Sequence, residues 1–421
     1  MSSLAAAAAG ILALLGTPLF VVLAGVTLFL LFQSGVDLSI AIIEMNRMAE
    51  TPLLAAIPLF ALAGYILAES RAPQRLVKFS HAVLGWLPGG FAIISLITCA
   101  LFTAFTGASG ITIVALGGLL LPGLIKERYG ENFSYGLLTT SGSLGLLFPP
   151  SLPLILYGVV SETNIEKLFL AGIVPGLIML LVLVIYSMRS GIAAGVPRAA
   201  FSWKEARKAL WESAWEIPLP VVVLGGIYGG FVAVSEAAAL TALYVLIVES
   251  VIRREVTWKK LYKAMLECMI LVGAVLIILG AALAFTNYLI DAQIPMKTLA
   301  LFESHISSRI TFLLMLNVFL LLVGCILDIF SSLVVVVPLV LPIAHAYGVD
   351  PIHLGVIFLA NLQLGYSTPP VGMNLFIASL RFEQPVGKLY VASLPFLILL
   401  LLVLFLITYL PELSLWLPSL V

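Results

Sequence analysis

Charge is what this sequence has least of: 21 Lys and Arg and 21 Asp and Glu in 421 residues, 10% of the chain, with a formal net charge of zero. A water-soluble domain carries about 25% charged residues, so a soluble fold is excluded. The even balance and the lack of a basic run exclude nucleic acid as a partner. Cysteine is almost absent. Cys99, Cys268 and Cys325 stand singly in apolar surroundings, without disulfide or ligand spacing, which predicts packing roles. His81, His305, His345 and His353 are scattered, and no cluster of His, Cys or carboxylate has metal-ligand spacing. Neither a catalytic dyad nor a continuous polar pore is visible, so an intramembrane enzyme or a channel has little to rest on, and we expect no enzyme activity.

What fills the chain instead is apolar: 62% of residues are hydrophobic, and the mean hydropathy is +1.17. Runs long enough to cross about 30 Å of hydrocarbon recur from end to end. In lipid such runs close their backbone bonds only as helices, which predicts an all-α integral membrane bundle. Met1 to Gly10 has no Lys or Arg before its apolar run and no polar cleavage region, and is expected to be a retained span rather than a signal peptide. Nine full crossings are expected near Ile11 to Phe32, Leu53 to Ala68, Phe133 to Val160, Leu168 to Met188, Ile217 to Phe231, Ala233 to Val251, Met269 to Leu289, Ile352 to Ala378 and Val391 to Tyr409. Two further apolar blocks, Gly89 to Ile125 and Ile310 to Ala346, are interrupted midway. The interruptions are Thr106-Gly107-Ala108-Ser109-Gly110 and Asp328-Ile329-Phe330-Ser331-Ser332, and each predicts a hairpin that dips in and returns.

A repeat runs through this pattern. Leu121 matches Leu341, Pro122 matches Pro342, Leu144 matches Leu364, Gly145 matches Gly365, and Pro149-Pro150 match Pro369-Pro370, all at one shift of 220. The same shift carries the spans of the first half onto spans of the second. We therefore divide the chain into a first repeat, 1–189, with its hairpin at 89–125 and broken helix at 133–160. A cytoplasmic amphipathic segment and an unpaired connecting span follow at 190–231. The second repeat, 232–421, has its hairpin at 310–346 and broken helix at 352–378. Five crossings separate equivalent elements, so the second copy is inverted, the architecture of secondary transporters. Seventeen of the 21 Lys and Arg fall on the N-terminal side of this arrangement, leaving only Arg47, Lys167, Lys297 and Arg309 opposite. The positive-inside rule then puts the N-terminus in the cytoplasm and the C-terminus outside. Segments Gln74 to Leu84, Trp203 to Trp215 and Trp258 to Glu267 set Lys, Arg and Trp along amphipathic faces, as cytoplasmic interface anchors do.

The chemistry is expected where the spans break. A Gly-x-x-x-Pro-Pro block frees several carbonyls together, because proline brings no amide hydrogen and clashes with the preceding turn. At bilayer depth those carbonyls need donors, water or a cation, and two such breaks at matched positions favour a cation. A hard ion such as sodium takes oxygen ligands that need carry no formal charge. The polar inventory comprises Gly107, Ser109, Thr139, Thr140, Ser141 and Ser143 on one side, and Asp328, Ser331, Ser332, Asn361, Gln363, Ser367 and Thr368 on the other. Asp328 is the only acidic residue between Ile310 and Val349, which makes it a candidate for ion or proton coupling and equally an N-cap of the returning hairpin helix. Arg47 could pair with an anionic substrate or a binding protein; an interfacial helix in which it pairs with Glu44 or Glu50 is the simpler reading.

Several segments together resemble one family, the large membrane subunit of tripartite ATP-independent periplasmic (TRAP) transporters of C4-dicarboxylate type. They are Ile57-Pro58-Leu59-Phe60 with Gly64, Gly107-Ala108-Ser109-Gly110, Phe148-Pro149-Pro150-Ser151-Leu152-Pro153 with Tyr157, and Leu168-Phe169-Leu170-Ala171-Gly172-Ile173 with Pro175-Gly176. In the second half they are Asp328, Leu339 to Pro342, Asn361, Gly365, Thr368-Pro369-Pro370-Val371-Gly372 and Asn374-Leu375-Phe376. The resemblance implies an elevator-type carrier in a bacterial inner membrane, importing a small organic anion with sodium. It also implies two partners, a small four-helix membrane subunit and a periplasmic substrate-binding protein. No cofactor is implied beyond the coupling ions. Candidate sodium ligands are Gly107, Ser109, Ser141, Ser143, Leu147, Asp328, Ser331, Gly365 and Thr368, and candidate substrate contacts are Arg47, Ser109, Ser332, Asn361, Thr368 and Asn374. Two departures stand out: Gln363 replaces a residue that the family often has as an acid, and Leu146-Leu147 replace a more proline-rich break. A stand-alone sodium- or proton-coupled carrier of the wider superfamily shares the architecture and needs no binding protein.

Overall fold

The computed structural model describes residues 12, 16–196, 200–294, 306 and 308–421. Part of the first expected crossing, with Arg198, Lys297 and His305, lies outside them, and so does the side chain of Arg47. Every regular element among the described residues is helical. The first half runs α1 (Leu19–Gln33), α2 (Ser39–Ala49), α3 (Ala56–Glu69), α4 (Ala72–Leu84), α5 (Gly90–Thr106), α6 (Ser109–Lys126), α7 (Glu131–Ser141), α8 (Leu152–Val160) and α9 (Ile165–Ala193). After α10 (Trp203–Glu212) and α11 (Pro218–Tyr228) come α12 (Val234–Leu246), α13 (Trp258–Asp291), α14 (Arg309–Ile326), α15 (Ile329–Ala346), α16 (Pro351–Gly365), α17 (Met373–Phe382) and α18 (Val386–Tyr409). Helices α6 and α15 start and end 220 positions apart.

The hairpins are α5–α6 and α14–α15, and each turns at its expected interruption. Gly107 ends α5 with a φ of 64°, a conformation that glycine adopts without strain, and Asp328 caps the start of α15. In the first broken span a single tight turn, Leu144–Leu147, follows α7, and the axis bends by 47° before α8. The second break separates α16 from α17. That span continues to Phe382 rather than stopping at Ala378, because nothing breaks the helix before Glu383 takes a left-handed conformation.

Two bodies follow from the packing. Helices α3, α12 and α13 pack together, with α1 against α13. In the other body the halves cross over: α6 lies on α17 and α15 on α8, so each returning hairpin arm leans on the far half of the opposite broken span. Glycines permit the close approaches. A Cβ on Gly365 would come within 2.7 Å of the backbone of Gly324 in α14, and one on Gly64 of α3 within 2.6 Å of Thr106 at the first hairpin tip. Gly365→Ala should therefore lower stability by about 1–3 kcal/mol through overpacking, measured by chemical unfolding in detergent. A wild-type midpoint would show that the break shifts freely.

Two expectations change. Ile217 to Phe231, expected as a full crossing, yields only the 11-residue α11, about 16 Å long. Pro218 opens it and Gly229-Gly230 close it, and it is too short to cross alone. Trp258 to Glu267, expected as a separate anchor, runs without a breaker into the following span as one 34-residue helix. By length and apolarity eight helices of the described chain can cross, or nine with the bent α7–α8 pair; α6, α14 and α15, which are hairpin arms, are among the eight. The basic loops meet at one end of the molecule: Arg75 and Lys78 contact glutamates of the 212–255 region, and Lys263 contacts Glu69.

Candidate functional site

A cleft of about 970 Å³ separates α3 and α13 from the hairpin body. Its walls include Gly107 to Ile111 of the first hairpin, Asp328 to Phe330 of the second, Leu146 and Tyr366 from the two breaks, and Met373, Ile377, Leu380 and Arg381 of α17. It reaches the end of the molecule where Glu69, Lys263 and Glu267 lie.

At the first tip the Ser109 hydroxyl donates to Asn374 Oδ1 at 2.7 Å, and Asn374 Nδ2 donates to the Thr139 carbonyl at 3.4 Å. One short chain of bonds thus joins α6, α17 and α7. No side chain caps the start of α6, where Ala108 holds the cap position, so its positive dipole end faces the cleft unopposed. The Ser109–Asn374 bond should appear in a double-mutant cycle. Ser109→Ala and Asn374→Ala together are expected to cost less than the sum of the singles by about 1 kcal/mol in transition-state stabilisation of transport. Strict additivity of the two losses would mean the bond is idle.

The second tip is built differently. Asp328 accepts from the amides of Phe330 and Ser331, both at 3.0 Å, and from the Ser331 hydroxyl, while the Ile329 amide donates to the Tyr366 hydroxyl. The cap and the carboxylate facing the cleft are the same group. Behind it Cys325 is more than packing, the role its apolar neighbours suggest. Its thiol donates to the Thr368 carbonyl at 3.2 Å and accepts from the Val371 amide at 3.4 Å, and its carbonyl accepts from the Gly372 amide at 3.1 Å. A break that loses helical bonds over several residues draws on whatever group lies opposite, and here it is a sulfur.

The two breaks touch where the Ser143 hydroxyl donates to the Gln363 carbonyl at 3.3 Å. Both amide atoms of the Gln363 side chain, with the hydroxyls of Ser332 and Ser367, are buried without a hydrogen-bond partner. Of the candidate residues, Gly107, Ser109 and Asp328 line the cleft. Ser331 and Ser332 form the first turn behind Asp328, and Asn374 reaches the site through Ser109. Four others sit elsewhere in the breaks: Ser141 bonds the Leu138 carbonyl, Thr368 bonds the Leu364 carbonyl, Gly365 is packed on Gly324, and the Leu147 carbonyl faces Gly172 of α9. Asn361 points away from the cleft, donating to Asn317 Oδ1 at 2.7 Å in a buried network that Thr408 of α18 completes.

Sequence reasoning did not single out Tyr366, Cys325 or Asn317 for roles, nor the mouth of the cleft. There Lys263 pairs with Glu69 at 2.7 Å and lies 3.8 Å from Glu267, and Arg381 Nε donates to the Val114 carbonyl at 2.9 Å. The sequence places these charges only in basic loops; that they converge on the cleft is tertiary information.

The family model described as tripartite ATP-independent periplasmic transporter, DctM component, matches residues 6–413. The C4-dicarboxylate TRAP transporter large permease protein DctM of Vibrio cholerae is 35% identical over 415 residues, covering 93% of this chain and 92% of that protein. The isethionate TRAP transporter permease protein DctMQ of Oleidesulfovibrio alaskensis is 35% identical over 386 residues, 90% of this chain and 60% of that longer protein. Among solved structures, the Alcanivorax borkumensis YdaH transporter, described as having an unusual topology, superposes with a TM-score of 0.59. It shares 15% identity over 89% of this chain and 90% of that one, which is a likeness of fold.

Proposed function

Because this chain belongs to the tripartite ATP-independent periplasmic transporter family as a DctM component, we propose that it is the large membrane subunit of a sodium-coupled importer of a small organic anion. The substrate arrives on a periplasmic binding protein, and a small four-helix membrane subunit completes the carrier.

The observation that carries this reading is the pairing of unlike hairpin tips across one cleft. The uncapped N-terminus of α6, with Ser109 and Asn374, suits a carboxylate or sulfonate. Asp328 at the other tip, a carboxylate lining the same cleft without an ion pair in the described residues, suits a cation. The attraction between an anion and a cation bound side by side offsets the cost of desolvating each, which favours binding the two together. In the elevator motion we assign, α5–α8 and α14–α17 move together against α1, α3, α12 and α13, sliding where Gly64 lets the first tip approach α3. Residues 1–189 and 232–421 are the inverted halves of this machine, an arrangement that requires α11 together with the residues flanking it to carry the chain across the membrane between them. By the positive-inside rule the basic end is cytoplasmic, the N-terminus lies inside the bacterial inner membrane and the C-terminus outside, and the cleft is open inward.

The test is uptake into proteoliposomes under an inward sodium gradient, with the small subunit and binding protein added or omitted. Succinate and isethionate are the first probes, after thermal-shift screening on the binding protein. Uptake that needs sodium and both partners is the expected result. Uptake by this chain alone would replace the reading with a stand-alone carrier.

A further inference from the structure

Five charged residues line the cleft: Glu69, Lys263, Glu267, Asp328 and Arg381. Lys263 is neutralised by Glu69 and Glu267, and Asp328 is bound into the start of its own helix. Of the two cations among them, Arg381 is the one without an ion pair within the described residues. Its side chain is exposed and held by a single bond, Nε to the Val114 carbonyl of α6 at 2.9 Å. That bond leaves the four N–H groups of the two terminal nitrogens free. The guanidinium lies across the backbone of α6 at Gly118, where an added Cβ would fall on Nη2, so a glycine keeps the place open for it. Along α17 it stands two turns, about 10 Å, from Asn374, on the side where the cleft opens.

We propose that Arg381 is the anion-recognition residue of the cleft's open side, a planar fork that takes the carboxylate or sulfonate of the substrate after it leaves Ser109 and the start of α6. This rests on the proposed function and names a specificity-determining residue within it. A guanidinium fixed at Nε presents its remaining donors in the geometry that a carboxylate or sulfonate accepts as a pair of parallel bonds, which lysine cannot copy. Its position between the hairpin tip and the mouth gives the anion a second stop on its way out, at the one cation lining the cleft that has no counter-charge within the described residues.

The test is exchange of radiolabelled succinate or isethionate by the complete carrier in proteoliposomes, with the acid varied on the face to which the cleft opens. Arg381→Gln should raise KM on that face about tenfold while kcat stays within about twofold, and Arg381→Lys should raise it about threefold, the size expected of a charge-assisted fork and its partial replacement. Gly118→Ala keeps the charge but displaces the guanidinium, so it should raise KM in the same direction. A residue that only tethers α17 to α6 would lower the unfolding midpoint and leave KM alone. Where Arg381→Gln fails to fold, Gly118→Ala and Arg381→Lys decide. Wild-type exchange with KM unmoved in the variants would overturn the role of Arg381 alone; absence of exchange in the wild type would overturn the transport reading and this role with it.

Discussion

Asp328→Asn is expected to cut sodium-driven uptake about a hundredfold, the loss of one charge interaction of about 3 kcal/mol with a cation some 5 Å away at an effective dielectric near 20. The substitution is chosen because it separates two jobs that one carboxylate does. Asp328 caps α15 through the amides of Phe330 and Ser331, and asparagine caps a helix about as well as aspartate. The variant should thus keep its unfolding midpoint while losing its response to sodium. Asp328→Ala removes cap and charge together and should add a stability loss of about 1 kcal/mol. Two measurements settle the matter: uptake against sodium concentration, and chemical unfolding in detergent. Uptake like the wild type in Asp328→Asn, with impairment only in Asp328→Ala, would reduce Asp328 to a cap and move the cation toward the buried, unpartnered oxygens of Ser332, Gln363 and Ser367.

How far the site could be read in advance follows from what periodicity records. The two interruptions and the prolyl doublets are local signals, and they mark the hairpin turns and the breaks at a constant offset. Gly107, Ser109 and Asp328 could be named for that reason. Orientation is different. Helices such as α16 and α18 are apolar on every side, so no stripe tells which face meets a partner. Asn361 was legible as polar and deep, but not as turned toward Asn317 and Thr408. The Ser109–Asn374 bond joins residues 265 positions apart, through the crossing of one half's hairpin with the other half's broken span. No short-range pattern encodes that. Cys325 and Tyr366 look like ordinary core residues until the break beside them exposes backbone groups in need of partners. The shortness of α11 and the continuity of α13 were present in the punctuation, in Pro218 and Gly229-Gly230 and in the want of any breaker after Trp258.

The largest effect on stability should come from Arg75, which does not line the cleft. Its guanidinium meets Glu216 at 2.5 Å, Glu249 at 2.9 Å and Glu255 at 2.5 Å. Arg75, Glu216 and Glu249 are 7%, 6% and 1% exposed, so water does little to screen them. The cluster joins α4 to the lead-in of α11, to the end of the α12 span and to the loop before α13. Arg75→Met removes the cation and strands buried carboxylates, which is expected to lower stability by about 3–5 kcal/mol, the range for breaking one side of a buried ion pair. The Glu255 contact also gives the native protein a pH dependence of its own. In the native protein burial opposes the charge on Glu255, but the Arg75 hydrogen bond and the Arg71 amide outweigh it and hold its carboxyl below the usual range. A depressed carboxylate contributes stability that is present above its unfolded value and lost as pH falls through its native one, so this contact weakens on acidification. Without Arg75 the stranded carboxylates favour the protonated form, and the variant should gain stability as pH falls. Adding Glu249→Gln to Arg75→Met should restore part of the loss at neutral pH, because it removes a charge that has no counter-charge left. Unfolding midpoints from about pH 3 to about pH 8 for the three proteins test this, the lower end reaching below ordinary carboxylate titration, where the Glu255 contact is lost, and the upper end lying just above neutral. If Arg75→Met loses stability equally at every pH, and Glu249→Gln does not relieve it, the loss lies in side-chain packing and the charges of the cluster are screened after all.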